Sequence, residues 1–126
     1  MIYSEELIDL FGLKKHKLKV EREDIMLGQR EEAEFCAVAQ AVKRQVIKPL
    51  KNSDAYRPSV QSGNGVFLGR HGKAKYQLLF NEQDTKKLEQ FIHEFDLIDD
   101  NDELLKSEIE PIELTFILTE VTPLWV

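Results

Sequence analysis

Cysteine is nearly absent from this chain: Cys36 is the only one in 126 residues. That excludes an intrachain disulfide, and with it the small disulfide-stapled secreted scaffolds, and it points to a reducing compartment. Four prolines and six glycines, scattered rather than clustered, exclude a collagen-like or low-complexity chain. No apolar run approaches the roughly 20 residues that a membrane span needs. The first residues, MIYSEELIDLFGLKKHK, place acids before any apolar stretch and do not read as a secretory signal. The expectation is a cytoplasmic protein with no membrane partner.

Catalytic and metal-binding patterns are missing too. The three histidines, His16, His71 and His93, are scattered and lie at no metal-ligand spacing with one another or with Cys36. Cys36 falls inside an apolar helical stripe, where a thiol is inert; a nucleophile needs an electropositive, accessible site. Ser62-Gly63-Asn64-Gly65 is glycine-rich, but it joins two expected strands. It opens no helix whose amides could converge on a phosphate. The acidic run Glu94, Asp96, Asp99, Asp100, Asp102 and Glu103 lacks the central glycine and the terminal glutamate of a calcium-binding EF-hand loop. The residues therefore predict no enzyme, no cofactor and no metal.

What is present is the composition of a globular domain, 42 % hydrophobic and 32 % charged. Its length suits a single domain over residues 1–126. Ser4 reads as the N-cap of a short helix through Leu7, Leu10 and Phe11, stopped by Gly12. Alternation over Lys17–Glu21 predicts a strand, and Glu23–Leu27 a helical turn closed by Gly28. The strongest helical period runs from Glu31 to Ile47, with Phe35, Val38, Ala39, Val42 and Val46 on one face. Cys36, Ala37 and Ala41 widen that face with small residues. A polar loop over Leu50–Pro58 precedes three short strands, Ser59–Ser62, Val66–Gly69 and Lys75–Leu79. Asn64-Gly65 suits a hairpin turn, and His71-Gly72 marks a second one. Thr85–Phe95 is a helix with Leu88, Phe91, Ile92 and Phe95 on one face. The acidic loop Asp96–Glu103, a short helical turn and a last strand over Ile112–Thr119 complete the chain. The expected fold is α+β: a small antiparallel sheet of about four or five strands, packed on one face by two main helices.

Charge is segregated along the chain. Residues 1–42 carry a net −3, residues 43–75 a net +7 and residues 76–126 a net −10, within an overall −6. Two binding readings follow. The acidic face of Asp96, Asp99, Asp100, Asp102 and Glu103 could mimic a nucleic-acid backbone and occupy a basic groove on a protein partner. Alternatively, the basic segment could contact an anion, nucleotide or nucleic acid through Arg57, Arg70, His71, Lys73 and Lys75, with aromatic residues nearby for stacking. Solvated charge is the plain alternative to both. Leu124 and Trp125, after Pro123, could pack within the domain or against a second copy in a homodimer.

One further pattern lies in the order of the motifs. A strand, Asp24-Ile25 and Gly28 precede Cys36-Ala37-Val38-Ala39-Gln40-Ala41-Val42. A hairpin ending Tyr76-Gln77-Leu78 follows, then Phe91-Ile92-His93-Glu94-Phe95-Asp96 and Pro111-Ile112-Glu113-Leu114-Thr115-Phe116. Across residues 17–118 this resembles a group of short bacteriophage and prophage proteins that share a C-x-x-A-x-A helix, a Y-x-L-P strand, an F-I-x-x-F-D helix and a closing P-F-x-F strand. The chain departs from that pattern at Leu79-Phe80, where the proline is replaced. It also has a longer Leu50–Pro58 loop and an expanded acidic stretch from Asp96 to Glu110. The group carries no assigned activity, so the resemblance transfers no functional residue. It implies a phage or mobile-element origin and a location in the host cytoplasm. Together with the charge pattern, the expectation is an accessory protein that binds and modulates a host macromolecule, such as a defence component.

Overall fold

A computed structural model describes residues 14–50, 52–61, 65–70 and 73–121. The N-terminal helix expected over Ser4–Gly12, Asn64, the His71-Gly72 turn and the Leu124–Trp125 terminus lie outside the described residues; Gly65, expected in the first hairpin turn, is instead a strand residue paired with Gln61. The elements are β1 (His16–Val20), α1 (Arg22–Leu27), α2 (Ala37–Val42) continuing into a π-helical turn (Lys43–Ile47), and a 3-10 turn (Ser53–Ala55). Then come β2 (Arg57–Gln61), β3 (Gly65–Arg70), β4 (Lys73–Phe80), α3 (Glu82–Asp96), α4 (Glu103–Glu108) and β5 (Ile112–Glu120). The α+β expectation holds: the five strands form one antiparallel sheet in the order β1-β5-β4-β3-β2.

Period-two alternation builds the sheet's inner face from Leu18, Val20, Val60, Val66, Leu68, Tyr76, Leu78, Leu114, Phe116 and Leu118, all buried. Helix α2 touches β1 and β2, the two outermost strands, so the sheet curls around it. Ala37, Val38, Ala39, Ala41 and Val42 are all buried, as befits a helix surrounded by protein on nearly every side. Its small side chains let the backbones approach.

Helix α3 lies against β4 and β5 through Leu88, Phe91 and Phe95. The Asn81 side chain accepts from the Asp84 N–H at 2.7 Å and caps it. Asp84 in turn accepts from the Thr115 N–H at 2.8 Å. It thereby takes the place of a strand partner for β5 where β4 has ended.

The main helix is shorter than its period predicts. It begins at Ala37 with Cys36 as N-cap, not at Glu31. Residues Gln29–Cys36 instead fold into a compact loop, closed by the Gln29 N–H donating to the Phe35 carbonyl at 2.8 Å. Phe35, expected on the buried face, is 43 % exposed. Glu31 sits at φ 59°, in the left-handed region that costs a side-chain-bearing residue roughly 1–2 kcal/mol. Its N–H donates to Asp96 at 2.9 Å, and that of Arg30 to Asp100 at 2.7 Å. Acids far along the chain thus hold open a segment that local propensity would have wound into helix.

Candidate functional site: an acidic corner and a basic groove

The expected acidic face is spent partly on the fold. Asp96 and Asp100 brace the Gln29–Cys36 loop. Asp99 accepts from the Asn101 N–H at 3.1 Å. Asp102 caps α4 by accepting from the Leu105 N–H at 3.0 Å. Asp99, Asp100 and Glu103 stay exposed, on the short corner between α3 and α4. The sequence reading missed the apolar side chains among them. Leu97 is 70 % and Leu104 73 % exposed, with Leu105 at 43 %. Leu104-Leu105 next to an acidic run was the available signal; periodicity could not say that these leucines face outward.

Lys43, Arg44, Lys48 and Arg57 line a groove of about 640 Å³ between α1, the π-helical turn and the 3-10 turn, together with Glu23, Asp24, Glu34, Leu27 and Phe35. Arg70 and Lys73 lie opposite each other on β3 and β4, and Lys75 is exposed further along β4. Arg57 faces Gly69, the residue before Arg70, across the neighbouring strand. His71 lies outside the described residues.

Within the groove the charges have distinct roles. Arg44 is bound by three acids: Asp24 at 2.6 Å, Glu23 at 3.1 Å and Glu21 at 3.2 Å. Its hydrogen bond to Asp24 holds the guanidinium above its ordinary range. Asp24 is buried at 2 % exposure and also accepts from the Glu21 N–H at 2.9 Å, closing a reciprocal cap at the start of α1. The next residue of the π-helical turn, Gln45, accepts from the Lys19 N–H at 2.9 Å and donates to the Lys19 carbonyl. Its amide closes that part of the exposed edge of β1. A π-helical turn widens the helix by one residue, and here the consecutive side chains of Arg44 and Gln45 both reach β1, with Arg44 also reaching α1. Lys43 stacks its ammonium 4.2 Å over the Phe35 ring. Lys48 and Arg57 are exposed and pair with no carboxylate among the described residues.

Lys106 is a second group the sequence did not flag. It is 3 % exposed, and its ammonium donates to the Gly28 carbonyl at 2.8 Å and the Met26 carbonyl at 3.3 Å. These are carbonyls at the C-terminal end of α1, where the helix dipole favours a cation. Arg22 donates back to the Lys106 carbonyl at 3.1 Å, so α1 and α4 are tied in both directions. The role is architectural.

Cys36 is buried, and burial pushes its thiol up, with the Asp96 carboxylate adding to the shift. Such a thiol is a poor nucleophile at neutral pH. Among the described residues no cluster of His, Cys, Asp and Glu could hold a metal ion, and no helix is long and apolar enough to cross a membrane. Comparison with protein-family models, curated proteins and solved structures gave no match.

Proposed function

We propose that this chain is a non-catalytic interaction protein that docks its α3–α4 corner on a basic, partly apolar groove of a macromolecular partner. The origin suggested by the motif order makes it a phage-type accessory factor that acts in the host cytoplasm and modulates a host protein. The observation that carries the reading is the exposure of Leu97 and Leu104 amid Asp99, Asp100 and Glu103. Apolar side chains rimmed by charge are characteristic of protein–protein contact surfaces. The acids would steer the encounter and fix its register, while the leucines would supply the buried centre.

The nucleic-acid reading through Arg57, Arg70, His71, Lys73 and Lys75 is weaker, because the groove that Arg57 lines also carries Glu23, Asp24 and Glu34. A duplex or single strand rewards a continuous stripe of one sign.

The test is capture from host lysate at low and moderate salt by the tagged chain, by Leu97→Ser/Leu104→Ser and by Asp99→Lys/Glu103→Lys. Asp100 and Asp102 are left unchanged because they hold Arg30 and Leu105. One stoichiometric protein retained by the natural chain and lost by both variants supports the corner. Equal retention by all three, or no retained protein at either salt, refutes it. Retained nucleic acid that survives the corner variants and disappears at moderate salt would transfer the function to the basic residues.

A further inference from the structure

A second groove, of about 460 Å³, runs between α3 and α4. Its apolar lining includes the buried Phe91 and Ile109, the half-buried Ile98 and the exposed Leu105. Ile98 follows Leu97 and Leu105 follows Leu104, so the groove adjoins the leucines of the corner. Its charged lining is three carboxylates against one ammonium: Glu94 on α3, Glu108 and Glu110 at the end of α4, and Lys87. Lys87 is itself engaged by Asp84 at 3.8 Å and by the Glu113 carbonyl at 3.2 Å. Lys106, the one cation of α4, is withdrawn to the carbonyls of α1. Gln90 donates to Glu94 at 3.3 Å. Glu108 and Glu110 make no ion pair or side-chain hydrogen bond among the described residues. Glu94 lies in the last turn of α3 and Glu108 ends α4, where the helix dipole disfavours a carboxylate. These acids do nothing for the helices that carry them, unlike Asp96, Asp100 and Asp102, which the fold uses.

We infer that this groove receives a cationic, amphipathic segment of the protein partner, which inserts apolar side chains between α3 and α4 and sets Lys or Arg against Glu94, Glu108 and Glu110. The inference rests on the α3–α4 corner being the docking surface, as proposed above, and names the chemistry that enters beside it. An apolar cleft between two helices suits a segment with apolar side chains on one face. Charge decides among the possible occupants. The phosphates of a nucleic acid or an anionic membrane would meet three carboxylates and one ammonium already engaged, and the acidic corner of a second copy would be repelled in the same way. A wholly apolar segment would take water from the carboxylates and give them no partner. Flanking cations remove that cost, and because the acids are exposed their attraction weakens with salt.

The test is titration calorimetry at low salt with a synthetic leucine–lysine peptide whose leucines recur at helical spacing. Two comparison peptides replace its leucines by serine or its lysines by glutamate. Three versions of the full chain are titrated: natural, Glu94→Gln/Glu108→Gln/Glu110→Gln (groove) and Glu82→Gln/Glu89→Gln/Glu120→Gln (the same charge removed elsewhere). All six positions are exposed. Urea unfolding is expected to find the groove variant no less stable than the natural chain, because Glu94 and Glu108 oppose their helix dipoles. The leucine–lysine peptide is expected to bind the natural and control chains alike, with its Kd raised about tenfold or more in the groove variant. Both comparison peptides are expected to bind the natural chain about tenfold more weakly or less. No binding of the leucine–lysine peptide to the natural chain overturns the inference. So does binding that the groove variant leaves undiminished, that the control variant loses equally, or that the serine–lysine peptide matches. The corner reading is judged separately, by capture through Leu97 and Leu104, which the groove variant leaves in place. A host protein lost by the corner variants but kept by the groove variant would retain the corner and discard this inference. Peptide binding at the groove by a chain that captures no protein would retain the chemistry of the groove and discard the corner as a partner surface.

Discussion

Removing Arg44 should expose how much of the fold hangs on Asp24. The Asp24 carboxylate is 2 % exposed and accepts two hydrogen bonds from Arg44, at 2.6 and 3.3 Å, besides one from the Glu21 N–H. In Arg44→Met the aliphatic stem is kept and the charge is lost, so a buried carboxylate is left with a single backbone donor. Breaking a buried ion pair from one side costs about 3–5 kcal/mol. Asp24→Leu is the gentler change. Arg44 keeps Glu21 and Glu23 and has a side chain 31 % exposed, so the expected cost is about 1–3 kcal/mol, including the lost cap. The double variant should cost clearly less than the sum of the two, because no buried charge is then left alone; a coupling of about 1–3 kcal/mol is expected. Urea unfolding followed by far-UV circular dichroism reads all four chains, with an unchanged m-value as the check that the two-state description holds. Half-molar salt should leave most of the coupling intact, since Asp24 is shielded from solvent while Glu21 and Glu23 are not. An Arg44→Met cost below about 1 kcal/mol, or strict additivity, would refute the reasoning.

Three other outcomes follow from single contacts. In Gly28→Ala the new Cβ would lie 2.5 Å from the Ala37 nitrogen and 2.8 Å from its Cα; backbone cannot swing aside, so a loss of about 1–3 kcal/mol is expected in the same urea assay. For Cys36 the folded thiol titrates above its ordinary value of 9.0. Below that value both states keep the proton and the contribution to stability is complete. As pH rises toward the folded pKa only the unfolded thiol ionises, so stability declines there. Cys36→Ala should remove that alkaline slope, and a natural chain with the same slope as Cys36→Ala would show the thiol to be uninvolved. Asp96→Ala and Asp100→Ala each remove an acceptor from the Gln29–Cys36 loop, at a cost of about 1 kcal/mol. Both variants should be nicked by trypsin after Arg30 faster than the natural chain; equal rates would mean that the loop holds without them.

Much of the architecture was legible from residue order. The alternation in Ile112–Thr119, the amphipathic face of Leu88, Phe91 and Phe95, and the apolar run around Val38 and Val42 report which side of each element faces the core. Burying those stripes leaves few arrangements other than helices on one antiparallel sheet. These are local patterns, and the hydrophobic effect acts on them without reference to the partner. Charge segregation was equally visible.

The start of the main helix was not legible. Phe35 keeps the helical period, but Asp96 and Asp100, 65 and 70 positions further on, claim the amides of Glu31 and Arg30 and turn the segment outward. Strand register, which residue order alone does not give, sets Arg57 opposite Gly69, the neighbour of Arg70, and pairs Arg70 with Lys73. Lys106 carries no signal in the sequence; the packing of α4 against α1 closes it over the carbonyls of Met26 and Gly28. Periodicity and composition decide which stripes must be buried. The pairing of groups dozens of residues apart depends on backbone paths that exist only after folding, so the acidic corner and the groove became surfaces in the tertiary structure alone.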